Sequence, residues 1–209
     1  MDSVNLAENI FNKHAQQYLD KFRDVSRYHD SLDIFCKLLP RYATLLEVGT
    51  GPGNVSKYVL DNRADIQLTG IDVAENMLEL ARLQNPNAIF LKMDCRNIAS
   101  LKDEYDGIIS SFCFPYLSQE EVSKFIQDAR KKLVQRGVIY VSTMEGDYSS
   151  SGLETAPGGE SLYIHYHEHR FLADVLTENN FDIIDSRREQ YNDDRGKAVI
   201  DLLMVARSK

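Results

Sequence analysis

Nowhere does the sequence hold a run approaching the ~18–20 apolar residues that a bilayer-crossing helix needs, so no membrane-spanning helix is expected. The start, MDSVNLAENIF, carries neither a basic leader nor an apolar signal core, and the expectation is a cytoplasmic protein that is not exported. Cysteine is scarce: Cys36, Cys95 and Cys113 lie far apart with no CxxC spacing. An odd, scattered set argues against a disulfide framework and reads as reduced thiols acting as small buried hydrophobes. Positive charge is short as well. The formal net charge is −8, and the compact basic groups, Arg130-Lys131-Lys132 and Arg187-Arg188, have acids nearby. A protein that grips phosphates shows a basic face, because each neutralised phosphate releases counterions; tight binding to DNA or bulk RNA is therefore disfavoured.

What is present fits one sizeable domain. The 209 residues are 43% hydrophobic and 27% charged, ordinary for a globular chain and enough to bury a full core. Residues 1–40 read as a helical cap packed on a main domain at 41–209. Leu6, Ile10, Phe11, His14, Tyr18 and Phe22 recur at helical steps. A second helix, HDSLDIFCKLLP, has Asp30 or Ser31 as its expected N-cap and stops at Pro40.

Strands are then expected over 44–48, 66–71, 88–91, 106–111 and 138–142, alternating with helices. Ser118 and Glu121 form a capping box before one helix, and Gly137 is expected at that helix's C-terminus. Strands separated by such helices imply a parallel sheet covered on both faces, since parallel strands need crossovers. Residues 146–161, rich in glycine and serine, read as a long irregular loop of the lid or binding type. A helix at EHRFLADVLTENN follows, then strands over 181–190 and 198–207 joined by the NDDRG turn. That hairpin makes the final strand antiparallel.

The loop after the first strand reads Glu47-Val48-Gly49-Thr50-Gly51-Pro52-Gly53-Asn54. A Walker loop would end in Gly-Lys-Ser/Thr, which is missing. The dinucleotide fingerprint G-x-G-x-x-G would want glycine where Asn54 stands. An acid at the strand's carboxyl end repels pyrophosphate but suits a ligand carrying an ammonium group. Asp72 ends the second strand roughly 20 positions after Gly53, where an acid can accept from ribose hydroxyls. MDCRN follows the third strand: Asp94 can accept from an adenine amino group, and the Cys95 N–H can donate to the same ring edge. YDGIISSFCFPYL, the fourth strand and its outgoing loop, lies at the crevice where open α/β sheets bind ligands.

This ordered set, from Thr44 to Ser142, resembles the class I S-adenosylmethionine-dependent methyltransferases of small-molecule type. The resemblance implies a doubly wound, mostly parallel seven-stranded sheet of order 3-2-1-4-5-7-6, with strand 7 antiparallel and an N-terminal helical extension. It implies S-adenosylmethionine as cofactor and S-adenosylhomocysteine as product. Gly49, Thr50, Gly51 and Gly53 would let the backbone approach the methionine and ribose. Glu47 would hold the ammonium, directly or through water, and Asp72 the ribose, with Ile71 and Val73 flanking the adenine and Met77 also at the cofactor. Asp94 and Cys95 would face the adenine edge, Ser111 and Phe112 would line the methionine end, and Tyr18 would close the pocket from the cap.

The reaction implied is in-line displacement on an already electrophilic methyl group. Positioning can then supply most of the catalysis, and a base is needed only for a protonated nucleophile. Tyr116 stands where many small-molecule members carry a histidine or aromatic residue and is a catalytic candidate; the other reading of Phe114-Pro115-Tyr116 is a rigid apolar loop. His165, before the late helix, is a candidate base, with a satisfied structural histidine as the alternative. His165, His167 and His169 alternate, but a helix starting near His167 or Glu168 would split them between faces, and no metal is expected. The Asn/Asp-Pro-Pro-aromatic motif of nucleic-acid amino-methyltransferases is missing, as is the Pro-Cys order of cytosine C5 enzymes. The expected partner is thus a small-molecule methyl acceptor, with the protein a monomer or homodimer. Methylation of a protein or RNA site, and a non-catalytic S-adenosylmethionine-binding role, are the alternatives.

Overall fold

The cap comes first. In the computed structural model, which describes residues 3–155, 159–193 and 196–209, α1 (Ser3–Phe22) and α2 (His29–Leu38) precede the alternating region. The α1 helix bends at His14, whose backbone leaves helical geometry. Its stripe packs on the fourth helix: Ala15, Phe11 and Tyr18 gather with Ala74 and Met77. The α2 helix buries Leu32, Phe35 and Cys36 against the sheet. It begins at His29 behind Tyr28, with no side-chain cap bond at that residue, and not behind Asp30 or Ser31 as expected. Ser31 instead turns inward, its hydroxyl donating to the Tyr28 carbonyl.

The alternating region follows as β1 (Thr44–Val48), α3 (Asn54–Asn62), β2 (Gln67–Asp72), α4 (Glu75–Gln84), β3 (Ile89–Lys92), β4 (Tyr105–Ser111), α5 (Gln119–Lys132) and β5 (Leu133–Met144). The capping box at Ser118 and Glu121 forms with both reciprocal bonds. Gly137 lies inside β5, because the helix ends at Lys132 and the bend falls at Arg136, with φ 63°.

A two-stranded ribbon pairs β6 (Gly152–Thr155), inside the expected irregular loop, with β7 (Ser161–Ile164), which begins at that loop's last residue. Alternating short polar and apolar residues pair across it where glycine and serine content had suggested no regular structure. Residues 156–158 of that expected loop lie outside the described residues. The chain ends with α6 (His169–Glu178), β8 (Phe181–Asn192) and β9 (Ala198–Ser208); residues 194 and 195 of the expected turn also lie outside the described residues.

The main sheet runs β3-β2-β1-β4-β5-β9-β8. β9 is antiparallel to both neighbours, and the other pairings are parallel. This is the expected seven-stranded order with its last strand inserted antiparallel. Its two faces carry two cores, one under α5 and α6 around Ile108, Phe125 and Leu176, the other under α2 and α3 around Phe35, Val59 and Tyr140. Burial on both faces explains the near-continuous apolar runs of β1 and β4. The strand order reverses between β1 and β4, which opens a crevice above their carboxyl ends.

Candidate functional site

A cavity occupies that crevice, about 700 Å³ when the solvent in its open mouth is counted. Gly49, Gly51, Asp72, Val73, Met93, Asp94, Cys95, Ser111 and Phe112 come from the strand ends. Phe11, Tyr18 and Ala7 come down from α1, and Met77, Cys113, Tyr116 and Leu117 complete the wall. Two carboxylates and no Lys, Arg or His are among the described lining residues.

Two glycines show how the bend is built. Gly51 has φ 54°, and a Cβ there would meet nothing closer than Tyr18, at 3.9 Å. Its missing side chain leaves open room in the cavity. Gly53 has φ 82° and stands behind the wall: a Cβ would come 2.6 Å from Asn85 Nδ2 and 3.1 Å from Ala81. That third glycine serves the contact between α3 and α4 and does not line the cavity, contrary to the expected cofactor role.

Asp72 ends β2 with both oxygens committed to the backbone. The Gly51 amide donates to Oδ2 and the Ala74 amide to Oδ1, each at 2.9 Å. Burial raises its pKa, while the amide bonds pull it back. Each carboxylate oxygen has a second lone pair, so an oriented acceptor remains toward the cavity. Asp94 also lines the cavity but is tied to Arg96, whose Nη2 donates to Oδ2 at 2.7 Å and whose amide donates to Oδ1 at 2.9 Å. Its expected adenine contact therefore shares the carboxylate with a guanidinium.

Glu47 and Thr50, both expected at the cofactor, are buried behind the loop and do not line the cavity. The Glu47 carboxylate accepts from the Ser56 hydroxyl of α3, and burial pushes its pKa up to about 7. Thr50 Oγ1 lies 3.2 Å from Ser56 Oγ. Strand alternation sends Glu47 to the α3 face, where helix hydroxyls satisfy it. The pair supports the loop from below.

At the far end Phe112 adopts φ 53°, an uncommon conformation for a bulky residue. Its amide donates to both the carbonyl and the hydroxyl oxygen of Ser142, each at 3.1 Å. The Ser142 hydroxyl also meets that of Ser111 at 3.1 Å. A short helical turn, Phe114–Tyr116, then sets Tyr116 in the roof, where its ring meets Phe11 edge-on at 5.2 Å. Burial raises the Tyr116 phenol far above its ordinary value, and pushes Tyr18 up to about 12. Both hydroxyls are protonated at neutral pH, as phenols ordinarily are, so Tyr116 can contact or donate.

His165 does not reach the cavity lining. Its ring lies between Tyr148 and Tyr163, at 5.8 and 4.7 Å between centroids, because the β6–β7 ribbon turns it into an aromatic stack. Its amide, not its imidazole, meets the site, donating to the Pro115 carbonyl at 2.8 Å. Sequence reasoning missed Ala7, Met93, Cys113 and Leu117 as lining residues. Met93 was within reach of the argument, since it directly follows β3 at the same sheet edge as Asp72; Ala7 carries no local signal.

The residues fit S-adenosylmethionine. An acid-lined cavity without cationic side chains among its described lining disfavours pyrophosphate and accepts a cationic ligand. Asp72 stands ready for hydroxyl donors, and Val73, Met77 and Met93 offer apolar surface for a purine.

The same conclusion comes from comparison with known proteins. A family model described as a methyltransferase domain matches residues 45–137. An uncharacterized methyltransferase, YrrT, of Halobacillus halophilus is 24% identical over 193 residues, covering 88% of this chain and 86% of the relative. The chain spans 30%, 35% and 46% of the length of three further relatives. Among solved structures, a Methanosarcina mazei S-adenosylmethionine-dependent methyltransferase aligns with TM-score 0.71 at 18% identity, covering 84% of this chain and 96% of that one. The Burkholderia thailandensis 1,6-didemethyltoxoflavin-N1-methyltransferase, solved with S-adenosylhomocysteine, aligns with TM-score 0.72 at 20% identity, covering 98% and 88%. At these identities the structural likeness is one of fold.

Proposed function

We propose that this chain is a class I S-adenosylmethionine-dependent methyltransferase whose methyl acceptor is a small molecule, a reading supported by the methyltransferase-domain match over residues 45–137 and by the shared fold. The carrying observation is the roof. Phe11 of α1 meets Tyr116 above the cavity, and Tyr18 closes beside them, so a cap drawn from the chain itself covers the methyl-transfer end. A macromolecular acceptor would need an open groove there. The net charge of −8 agrees, since a nucleic acid would be repelled.

S-adenosylmethionine, when bound, supplies a methyl group already activated for displacement. The protein's part is then orientation. Gly51 gives the backbone its close approach, and Asp72 accepts from the ribose hydroxyls. Phe112, fixed through Ser142, lines the methionine end. Asp94, paired with Arg96, and the Cys95 amide face the adenine edge. Tyr18 and Tyr116, both held as phenols, exclude water, which strengthens the electrostatic contacts inside. Holding two reactants in register can be worth effective molarities of ~10⁵–10⁸ M, so no dedicated base is required for an acceptor that arrives unprotonated.

The experiment is label transfer. The protein is incubated with methyl-labelled S-adenosylmethionine and a cell metabolite extract, in parallel with purified RNA and protein fractions. Label in the metabolite fraction is the expected result. Label confined to RNA or protein overturns the acceptor class, and label in no fraction favours a binding protein without catalysis.

A further inference from the structure

The turn that carries Tyr116 has two bonds of its own, the Tyr116 amide donating to the Cys113 carbonyl and the Leu117 amide to that of Phe114, and further bonds reach it from the segment leaving β7. The fully buried His167 places Nε2 3.0 Å from the Phe114 carbonyl oxygen and 3.1 Å from that of Leu117. Two residues earlier the His165 amide takes the Pro115 carbonyl. Three carbonyls of one turn thus end on the segment leaving β7. Carbonyls only accept, so the imidazole must carry its proton on Nε2 and share it between two oxygens. Its Nδ1 is buried with no hydrogen-bond partner among the described residues, which fits a neutral ring with one assigned task. The ring sits between Phe171 at 5.7 Å and Phe114 at 6.4 Å. Its backbone is tied to β5, the His167 amide donating to the Met144 carbonyl at 3.2 Å.

Such a pin has a purpose at this point in the chain. The turn follows Phe112, whose backbone is in a sparsely populated conformation, and such residues persist only where their surroundings over-determine them. It supplies Tyr116 and Leu117 to the cavity wall, and a reacting site tolerates only about 0.5 Å of looseness. Its own two backbone bonds make a single short turn, too few to propagate as a longer helix. The sequence's alternating histidines find their explanation here: His167 looks inward to the turn, while His169 stands at the start of α6 against Ser186, 3.0 Å away.

We propose that His167 is a positioning residue of the methyltransferase site, its Nε2–H pinning the 114–117 turn and so fixing Tyr116 and Leu117 against the bound cofactor and acceptor. The proposal rests on the cavity being the S-adenosylmethionine site. Replacement by leucine removes the donor and keeps apolar bulk; glutamine can restore an N–H near the Nε2 position.

The test compares wild type, His167→Leu and His167→Gln by amide hydrogen exchange and by S-adenosylhomocysteine titration. In the leucine variant, exchange at Tyr116 and Leu117 rises about tenfold or more, while the β1 and β4 amides are unmoved, and S-adenosylhomocysteine binds about tenfold more weakly. In the glutamine variant both return to within about threefold of wild type. Unchanged exchange at 116–117 in the leucine variant overturns the pin; so does a glutamine variant as impaired as leucine, which would make the ring a packing element only. Should the variants not fold, histidine nitrogen NMR of the unsubstituted protein decides, because a proton on Nδ1 in place of Nε2 refutes the assignment. Wild type that does not bind S-adenosylhomocysteine overturns the cofactor reading instead, and the exchange result then still judges the pin.

Discussion

The floor of the cavity is made by strand ends whose spacing the sheet dictates, whereas its roof is assembled from α1 and the 114–117 turn, which reach the site through side chains and borrowed hydrogen bonds. Along the floor, Gly51, Asp72 and Phe112 lie at the carboxyl ends of β1, β2 and β4; the Gly51 amide donates to the Asp72 carboxylate, and the Phe112 amide to the Ser142 carbonyl of β5. In the roof, Phe11 touches Tyr116 over a sequence distance that no local pattern spans. The floor is therefore a property of the fold and the roof a property of this chain. On the proposed reading, cofactor recognition would belong to the first and acceptor choice to the second.

The sharpest way to test the floor is to divide it. Gly53→Ala forces a left-handed conformation and drives a methyl to 2.6 Å from Asn85. We expect a loss of about 2–5 kcal/mol from backbone strain and overpacking together, read as the denaturant midpoint, with S-adenosylhomocysteine affinity little changed in the molecules that remain folded. Gly51→Ala should cost only about 1–2 kcal/mol of stability yet remove most of the affinity, because its methyl enters open cavity. Equal effects of the two on binding would dissolve the distinction between cradle and support.

Glu47 tests the support from beneath. Burial lifts its pKa from 4.5 to about 7, so the folded state holds a proton that the unfolded chain releases. The sign follows: this stabilisation is complete below about pH 4.5 and is lost as pH rises through about 7. Across that window the loss is on the order of 3 kcal/mol. Glu47→Gln should abolish that component, leaving a variant as stable as wild type near pH 5 and more stable at pH 8, measured as melting temperature against pH. Identical pH profiles for the two proteins would mean that the carboxylate reaches solvent or a cation.

Asp72→Ala removes the floor's own contact. At S-adenosylhomocysteine concentrations ~100 times the wild-type dissociation constant, the wild type should gain ~2.7 kcal/mol. The alanine variant should lose most of that gain in a thermal-shift assay, and an unchanged response would take Asp72 off the ribose.

The difference between floor and roof also explains what could be read in advance. The strand order, the antiparallel last strand and the positions of Asp72, Asp94 and Phe112 follow from alternation and strand-end acids, which are local in sequence. Glu47 stands behind the cavity lining because proximity to the glycines says nothing about which face of β1 a side chain takes. Gly53 stands behind it as well, and its positive φ suits the close approach of Asn85. His165 looked like a base because it precedes a helix, but the ribbon formed by β6 and β7 rotates it into a stack with Tyr148. His167, the residue with the site-facing imidazole contact, was visible only as one of three alternating histidines. Its role depends on carbonyls some fifty residues upstream, a pairing that no spacing encodes.

The smallest expected effect concerns how the roof is fastened. Glu160, just before β7, accepts from Lys13 Nζ at 2.7 Å and from His14 Nε2, and His14 is the point where α1 bends. These partners pull the Glu160 carboxyl below its usual range. Lys13 is largely exposed, and exposed ion pairs are weakened by water, side-chain entropy and salt. Glu160→Gln should therefore leave the melting temperature nearly unmoved and speed S-adenosylhomocysteine release by about twofold at low salt. That difference should shrink as ionic strength shortens the screening length, measured by stopped-flow displacement at two salt concentrations. A much larger effect would make the ribbon a true latch on α1 and shift the weight of closure from Phe11 and Tyr116 to the charged pair. No effect at either salt concentration would leave the aromatic contact as the roof's fastening, which is what the apolar burial of Tyr18 and Met77 already favours.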